Sequence, residues 1–282
     1  MKKKVISGIV IAIVLLLVYR GMFTPVFGIF FDIMAALSCY EITRAAGVKN
    51  KELMIFAMIF SFLLPLTIEY GFNFALPLNI CIMIYIILLV LIMLANHDTV
   101  SFENLCVTIY ASVIIPFAYS TFTLITDLYK MYPDIDRRHC IFLIWFGINS
   151  ALFTDVFAYF VGVKFGKHKM APSISPKKSI EGAVGGVVLE LAFNLLALFI
   201  FTKYIFIVPI DIPVWSYCIM SVVLSLCGIA GDLIASLIKR NYGIKDFSDL
   251  IPGHGGIMDR FDSTLLTCPM LYIMIVVFEM LN

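Results

Sequence analysis

Long apolar runs separated by short polar breaks dominate the chain. A helix that crosses a bilayer needs about 20 mostly apolar residues. On that criterion the sequence predicts nine membrane helices, over residues 5–19, 23–43, 53–70, 74–95, 106–127, 140–163, 183–202, 208–234 and 264–281. Only Tyr19, Arg20 and Gly21 separate the first two. The predicted fold class is therefore an all-α integral membrane protein with about nine transmembrane helices.

The composition supports a membrane protein rather than a soluble one. Of the 282 residues, 62% are hydrophobic and 14% are charged, and the mean hydropathy is +1.02. A soluble domain carries about 45–50% apolar and about 25% charged residues. The chain has no long polar stretch that could form a separate soluble domain, so we expect a single membrane domain over residues 1–282 in contact with the lipid bilayer.

The distribution of Lys and Arg predicts the topology. If the N-terminus is cytoplasmic and nine helices alternate, the outside segments hold only Arg20, Lys130, Arg137, Arg138 and Lys203. All the other Lys and Arg residues then fall on the inside, as the positive-inside rule expects. This places the C-terminus outside. Met1-Lys-Lys-Lys4 before an apolar run also resembles a signal peptide, but no small-x-small cleavage site follows, which favours an uncleaved helix.

The predicted helix that ends near residue 240 carries polar side chains on one face. They are Asp232, Ser236, Lys239 and Arg240, at positions i, i+4, i+7 and i+8. An aspartate at the bilayer centre costs about 2.5–3.5 kcal/mol on insertion scales, and less near the interface. Asp232 therefore needs a compensating cation, a basic partner or water.

The loop after this helix interleaves acids and bases on a glycine-rich turn. Its candidate metal-binding acids are Asp246, Asp259 and Asp262. The residues that could bind phosphate are the bases Lys239, Arg240, Lys245 and Arg260 and the glycines Gly253, Gly255 and Gly256, with His254 among them. Carboxylates suit Mg²⁺ or Mn²⁺, and glycine lets backbone N–H groups approach an anion. The pattern predicts a site for a metal–nucleotide phosphate complex.

A second long inside loop, over residues 164–182, precedes the seventh predicted helix. Its candidate anion-binding side chains are Ser173, Ser175, Lys177, Lys178 and Glu181. Just before it, Asp155 and Tyr159 lie one turn apart on the preceding helix, and we expect them to wall a cavity. An acid within a membrane helix is a candidate functional residue by default.

These segments resemble one enzyme family. Ser236-x-Ile238-Lys239-Arg240, Lys245-Asp246-x-Ser248, Ile251-Pro252-x-His254-Gly255-Gly256 and Asp259-Arg260-x-Asp262 are together similar to the signature of phosphatidate cytidylyltransferases, or CDP-diacylglycerol synthases. Residues 155–166 and 175–182 also resemble family motifs, except that Ser179 stands where Thr is more usual. The resemblance covers about residues 155–262, and the first five helices match only in hydropathy. We accordingly distinguish N-terminal helices (1–135) from catalytic helices and cytoplasmic loops (136–282).

The resemblance implies an inner-membrane nucleotidyltransferase of bacterial type whose active site faces the cytoplasm. The implied substrates are CTP and phosphatidic acid, and the products are CDP-diacylglycerol and pyrophosphate, the first step of CDP-diacylglycerol-dependent phospholipid synthesis. It further implies a homodimer and Mg²⁺ or Mn²⁺ on Asp232 and Asp259, with Asp246 as a further ligand. The predicted catalytic residues are Asp232, Asp259, Lys239 and His254. A second, monovalent cation such as K⁺ is compatible with the family. No nucleic-acid partner is expected.

The residues by themselves leave two other functions open. A CTP-dependent lipid kinase would release CDP rather than pyrophosphate. An ion transporter would use Asp32, Asp155, Glu190 and Asp232 as an intramembrane pathway, but it would not explain the glycine-rich loop or the lysine pair beside serines. The roles of Asp32, Glu69 and Glu190 stay open at this stage.

Overall fold

The structure is a computed structural model that describes residue 8 and residues 13–70, 77–204, 213–253 and 255–281. Its helices are α1 (Pro25–Ala45), α2 (Lys51–Tyr70), α3 (Leu78–Ala95), α4 (Phe102–Ile109), α5 (Ile115–Met131), α6 (Arg137–Phe165), α7 (Ile180–Tyr204), α8 (Val214–Asn241), α9 (Met258–Phe261) and α10 (Thr264–Leu281). The two strands are β1 (Lys169–Ala171) and β2 (Ser175–Ser179), paired antiparallel. A π-helical turn, Tyr110–Ile114, joins α4 to α5.

The prediction of an all-α membrane protein is confirmed. Within the described ranges, seven helices are long and apolar enough to cross a membrane, and Thr264–Met280 is a shorter apolar helix. Residues 13–20 are also helical, whereas the rest of the first predicted span lies largely outside the described residues. Several helices extend past their apolar windows. One reason is capping: Asp136 accepts bonds from the N–H groups of Arg138 and His139, so α6 starts in a polar turn.

Between Phe102 and Met131 the chain forms one continuous helix with a widened turn in its middle. Ser112 lies in the π-helical turn and accepts a hydrogen bond of 2.6 Å from the hydroxyl of Tyr85. The stacked ring of Phe60 covers the other side of Tyr85, 3.6 Å between centroids. The extra residue of the π turn thus lies where Tyr85 of α3 bonds Ser112, with Phe60 of α2 stacked on the Tyr85 ring.

The chain forms two compact units. The first contains residues 1–123 and 241–260, and the second contains residues 124–240 and 261–282. In the first unit, Phe31 of α1 stacks on Phe122 at 4.2 Å between centroids, and Ser38 bonds Tyr119. Asp32 is buried there, and neither of its carboxyl oxygens has a hydrogen-bond partner among the described residues. Because residues 241–260 fall in the first unit, the glycine-rich segment belongs to the same unit as the N-terminal helices.

In the second unit, α6 and α7 pack very closely. A Cβ on Gly182 would lie 2.7 Å from the carbonyl oxygen of Ala158, and one on Gly186 would lie 2.8 Å from that of Thr154. Only glycine permits this separation, as expected for small residues at membrane helix contacts. The contact fixes where β2 and the start of α7 meet the end of α6.

A buried polar network joins α6, α7 and α8 within this unit. Glu190 of α7 is fully buried and accepts hydrogen bonds from Ser221 (2.5 Å) and Ser225 (2.7 Å) of α8 and from Asn194. Thr154 of α6 donates to Ser225 at 3.0 Å. Because a polar group in hydrocarbon must find protein partners, this network holds the three helices together. The role that the structure shows for Glu190 is therefore a packing contact between helices.

Candidate active site

One lysine of the second unit lies between two membrane-helix carboxylates. The Nζ of Lys178, on β2, is 3.1 Å from Oδ1 of Asp155 on α6 and 2.7 Å from Oδ2 of Asp232 on α8. Burial lowers the pKa of Lys178, but the two carboxylates more than offset this, so its pKa is raised and the ammonium stays charged. We call Asp155, Lys178 and Asp232 the acid–lysine cluster. It supplies the basic partner that the sequence required for Asp232.

The acid–lysine cluster opens into a cavity of about 740 Å³. Other lining residues are Tyr159, Gly162, Lys169, Ser175, Lys177, Ser179 and Ser236. Ligand pockets for small molecules commonly measure about 300–1,000 Å³. Asp155 and Tyr159, which the sequence analysis predicted to wall a cavity, line this one together with Ser175, Lys177 and Lys178 of the second loop.

Asp262 and Ser263 add polar groups next to the acid–lysine cluster. Ser263 donates to Oδ2 of Asp155 at 3.4 Å. Burial, followed by the charge of Asp232, raises the pKa of Asp262 to about 6. A Cβ on Gly231 would lie 2.6 Å from the carbonyl oxygen of Asp262, so α8 and the start of α10 are in close contact. Asp262 is therefore protonated more readily than an exposed aspartate, first because it is buried and then because Asp232 is near.

The β1–β2 hairpin is held from both ends. Glu181 accepts hydrogen bonds from the backbone N–H groups of Lys167 (3.0 Å) and His168, and it contacts the ring of His168. Nε of Arg240 lies 3.4 Å from the carbonyl oxygen of Ile174. Glu181 and Arg240, both predicted to bind CTP or phosphate, therefore also shape the backbone that carries Ser175, Lys177 and Lys178. Ser173 is exposed on the turn between the strands, and Lys239 is almost fully buried.

In the first unit, Asp259 folds the glycine-rich loop, which we define as residues 244–259. Its Oδ2 accepts the backbone N–H groups of Phe247 (2.8 Å) and Gly256 (3.0 Å). Ile251 N–H bonds the carbonyl oxygen of Gly255, and Gly253 and Gly255 have φ values of 80° and 79°, which favour glycine. Lys245, Asp246 and Arg260 are exposed. His254, a predicted catalytic residue, lies outside the described residues.

The sequence analysis did not identify Glu41. This residue of α1 is 1% exposed and accepts hydrogen bonds from Ser248 Oγ (2.5 Å), Ile257 N–H (2.9 Å) and Met258 N–H (2.8 Å). The one available signal was an acidic residue at the end of an apolar run, which marks a candidate functional residue. A cavity of about 630 Å³ lies beside it, lined among others by Arg44, Asp246 and Asp249.

The carboxylates of the acid–lysine cluster suit Mg²⁺ in the way that this ion usually binds to proteins. Among the described residues, no group of three His, Cys, Asp or Glu side chains is arranged to hold a metal ion. Mg²⁺, however, usually keeps several waters and takes only one or two protein carboxylates together with substrate phosphates. Asp155 and Asp232, facing one cavity, fit that mode. Of the predicted ligands, Asp232 belongs to the second unit, and Asp246 and Asp259 belong to the first.

Comparison with known proteins agrees with the signature. The cytidylyltransferase family matches residues 2–278. The phosphatidate cytidylyltransferase of Bacillus subtilis is 32% identical over 285 residues, covering 99% of both chains. The enzyme of that name from Staphylococcus haemolyticus is 34% identical over 66% of this chain and 70% of its own, and that of Staphylococcus aureus is 42% identical over 44% and 45%. The chain belongs to the cytidylyltransferase family and is an integral membrane nucleotidyltransferase.

Proposed function

We propose that this enzyme transfers the cytidylyl group of CTP to phosphatidic acid, giving CDP-diacylglycerol and pyrophosphate. The observation that carries the proposal is the charged Lys178 between Asp155 and Asp232 at a cavity among membrane helices. A cation of this kind can bind phosphate where a lipid headgroup leaves the bilayer. The names of the aligned relatives support the same substrates.

The proposed chemistry is a displacement at phosphorus. An oxygen of the phosphatidate monoester attacks the α-phosphorus of CTP, a new P–O bond forms, and the α–β anhydride bond breaks to release pyrophosphate. The monoester is already ionised at neutral pH, so no protein base has to remove a proton. Two polyanions must meet, and neutralising their charge therefore dominates the barrier.

The basic side chains supply part of that neutralisation. We assign phosphate binding to Lys177, Lys178, Lys239, Arg240 and Arg260. When CTP enters, its phosphates can compete with the carboxylates for Lys178, because phosphate oxygens are equally good acceptors for an ammonium. The N–H of Gly255 and the side chain of Lys245 are further candidates in the glycine-rich loop, whereas the N–H of Gly256, also predicted to bind phosphate, donates to Asp259. His254 stays a prediction as a phosphate donor or proton shuttle.

Mg²⁺ or Mn²⁺, when bound, would screen the triphosphate and the leaving pyrophosphate. Asp232 would hold it, and Asp259 and Asp246 stay predictions as further ligands. Within the acid–lysine cluster, the side chains hold one another without the ion. Asp155 and Asp232 orient Lys178, and Ser263 orients Asp155. A second monovalent cation such as K⁺ and a homodimer complete the proposal. They can be tested by salt substitution and by mass measurement in detergent.

The membrane arrangement follows from the same proposal. We place the enzyme in a bacterial inner membrane with a cytoplasmic N-terminus, so that the hairpin, the glycine-rich loop and CTP share the cytoplasmic side. The acyl chains stay in lipid while the headgroup enters the cavity. Polar backbone at that depth is tolerated because it lines protein or water.

Product analysis tests the proposal directly. The purified full chain in detergent micelles is incubated with Mg²⁺, labelled CTP and dioleoyl phosphatidate. We expect CDP-diacylglycerol and pyrophosphate in equal amounts, both lost with EDTA. Release of CDP without a liponucleotide would contradict the proposal and indicate a CTP-dependent lipid kinase. Activity that survives EDTA would remove the metal from the mechanism.

A substitution separates chemistry from folding. Asp259→Ala should abolish turnover, whereas Asp249→Asn, at an exposed position of the same loop, should leave it nearly unchanged. Size-exclusion profiles and unfolding temperatures of the two variants provide the folding control. Full activity in Asp259→Ala would exclude Asp259 from the site.

A further inference from the structure

Glu41 is joined to a segment more than 200 residues away in the chain. Its carboxylate accepts the hydroxyl of Ser248 on Oε1, the N–H of Ile257 on Oε1 and the N–H of Met258 on Oε2. All three donors lie in the glycine-rich loop. At 1% exposure, the carboxylate meets its hydrogen-bonding requirement through this loop and not through water.

Asp259 bonds the same two stretches of the loop as Glu41, residues 247–248 and residues 256–258. Asp259 joins the N–H of Phe247 to the N–H of Gly256, while Glu41 joins Ser248 to Ile257 and Met258. The two carboxylates therefore bridge the base of the loop at successive positions, 247 with 256 and 248 with 257–258. Between these two stretches, the N–H of Ile251 donates to the carbonyl oxygen of Gly255.

Glu41 differs from Asp259 in where it comes from. Asp259 moves with the loop because it belongs to it, whereas Glu41 belongs to α1, a helix of 21 residues. A bond to Asp259 preserves the internal shape of the loop. A bond to Glu41 fixes the position of that shape on a membrane helix.

The backbone of Gly256 lies directly against the Glu41 carboxylate. A Cβ on Gly256 would lie 2.6 Å from both carboxyl oxygens of Glu41, closer than real side-chain contacts occur. A larger residue at position 256 would therefore displace the Glu41 carboxylate. The loop backbone and the Glu41 carboxylate are matched in shape as well as in hydrogen bonding.

We propose that Glu41 is a positioning residue for the reaction: it fixes the glycine-rich loop on α1 so that the loop presents Lys245 and the N–H of Gly255, two of the candidates named above, to the triphosphate of CTP. The inference rests on the function proposed above for this loop. Preorganised donors stabilise phosphate charge without reorganising during the reaction. Loss of the Glu41 bonds would let the loop move and would weaken the recognition of CTP rather than of the lipid.

Glu41→Gln is the sharpest variant because it conserves size. The amide keeps one acceptor oxygen but puts an NH₂ group where the other oxygen stood, so at least one loop donor faces a donor. Glu52→Gln is the matched control, since Glu52 is exposed in the first turn of α2 in the same unit. Ser248→Ala removes one of the three donors and remains informative if Glu41→Gln does not fold.

Hydrogen exchange measured by mass spectrometry tests the contact between Glu41 and the loop in the absence of substrate. In Glu41→Gln, peptides containing the amides of Ile257 and Met258 should exchange about tenfold faster or more. Peptides from α7 should be unchanged, and so should all peptides of Glu52→Gln. Ser248→Ala should give a smaller acceleration of the same peptides. Unchanged exchange in folded Glu41→Gln would overturn the anchoring role whatever happens to activity.

Steady-state kinetics then test the link to the reaction. We expect the KM for CTP to rise about tenfold in Glu41→Gln, with the KM for phosphatidate within about twofold of the native value. Faster exchange with native kinetics would overturn the positioning role, and so would equal increases in both KM values. If the native enzyme transfers no cytidylyl group, the proposed function fails, while the exchange rates still decide whether Glu41 fixes the loop.

Discussion

The two groups of carboxylates in this enzyme bind different kinds of partner. In the acid–lysine cluster, Asp155 and Asp232 bond the side chain of Lys178, whose exposed fraction is 23%. At the base of the glycine-rich loop, Glu41 and Asp259 bond mainly backbone N–H groups. A lysine side chain can exchange one anion for another, whereas a backbone amide can leave its acceptor only if the loop moves. The first group is therefore suited to changing partners during turnover, and the second is suited to holding a shape.

Among the substitutions that conserve the size of the side chain, the largest effect should come from Asp232→Asn. The substitution removes a charge that holds Lys178 and that is proposed to hold the metal ion, and we expect kcat to fall about 1,000-fold. The unfolding temperature should change little, since Asp232 is partly solvent-accessible at the cavity. Product formation from labelled CTP measures the effect, with Asp249→Asn as the control. Near-native turnover would show that the cluster charge has no part in catalysis.

Lys178→Met should come next. The variant removes a charge-assisted contact with phosphate, so kcat/KM for CTP should fall about 100-fold. It also leaves Asp155 and Asp232 without their shared cation, and the unfolding temperature should therefore rise on adding Mg²⁺ more than it does in the native protein. Saturation kinetics and a thermal scan with and without Mg²⁺ provide the two measurements. An unchanged response to Mg²⁺ would contradict the exchange of cations at this site.

Asp259→Asn should cost less than either, about tenfold in kcat/KM. An asparagine carbonyl can accept both N–H bonds now made by Oδ2, so the loop keeps its shape and loses only a charge. Asp259→Ala, which also removes the acceptor, should be inactive. The ratio of these two activities is the measurement. If Asn and Ala are equally inactive, the charge of Asp259 is essential and the contrast between the two groups fails.

The smallest effect concerns pH and Asp262. Burial and then Asp232 raise its pKa to about 6, from 3.8 for an unperturbed aspartate. The folded state thus binds this proton more tightly, so the contribution to stability is complete below pH 3.8 and is lost as pH rises through 6. In metal-free buffer the native unfolding temperature should fall relative to Asp262→Asn by about 2–4 °C across this window. Parallel curves would contradict the raised pKa.

The sequence predicted what depends on local composition. Apolar runs located the helices because lipid selects length and hydropathy. The spacing of Asp155 and Tyr159 on one helix predicts that they share a cavity wall, and both line the cavity of about 740 Å³. Helix ends were less predictable, because polar caps such as Asp136 extend a helix beyond its apolar window.

Contacts between distant segments could not be predicted in the same way. No periodic pattern places Lys178 between Asp155 and Asp232, since that depends on the close packing of α6 on α7 through Gly182 and Gly186. Glu41 was missed because its partners lie at the other end of the chain. Its position at the end of an apolar run was visible, but its burial and its partners were not.

The distance in sequence between Glu41 and its donors also fixes an order of events during synthesis. Glu41 is made more than 200 residues before Ser248, Ile257 and Met258 emerge. A nascent chain that has reached residue 240 contains the acidic side chain but none of its three donors. Until they arrive, a membrane helix carries a carboxyl group without these three donors, and an unpartnered acid in a membrane helix costs free energy. A loop synthesised long after α1 thus completes that helix.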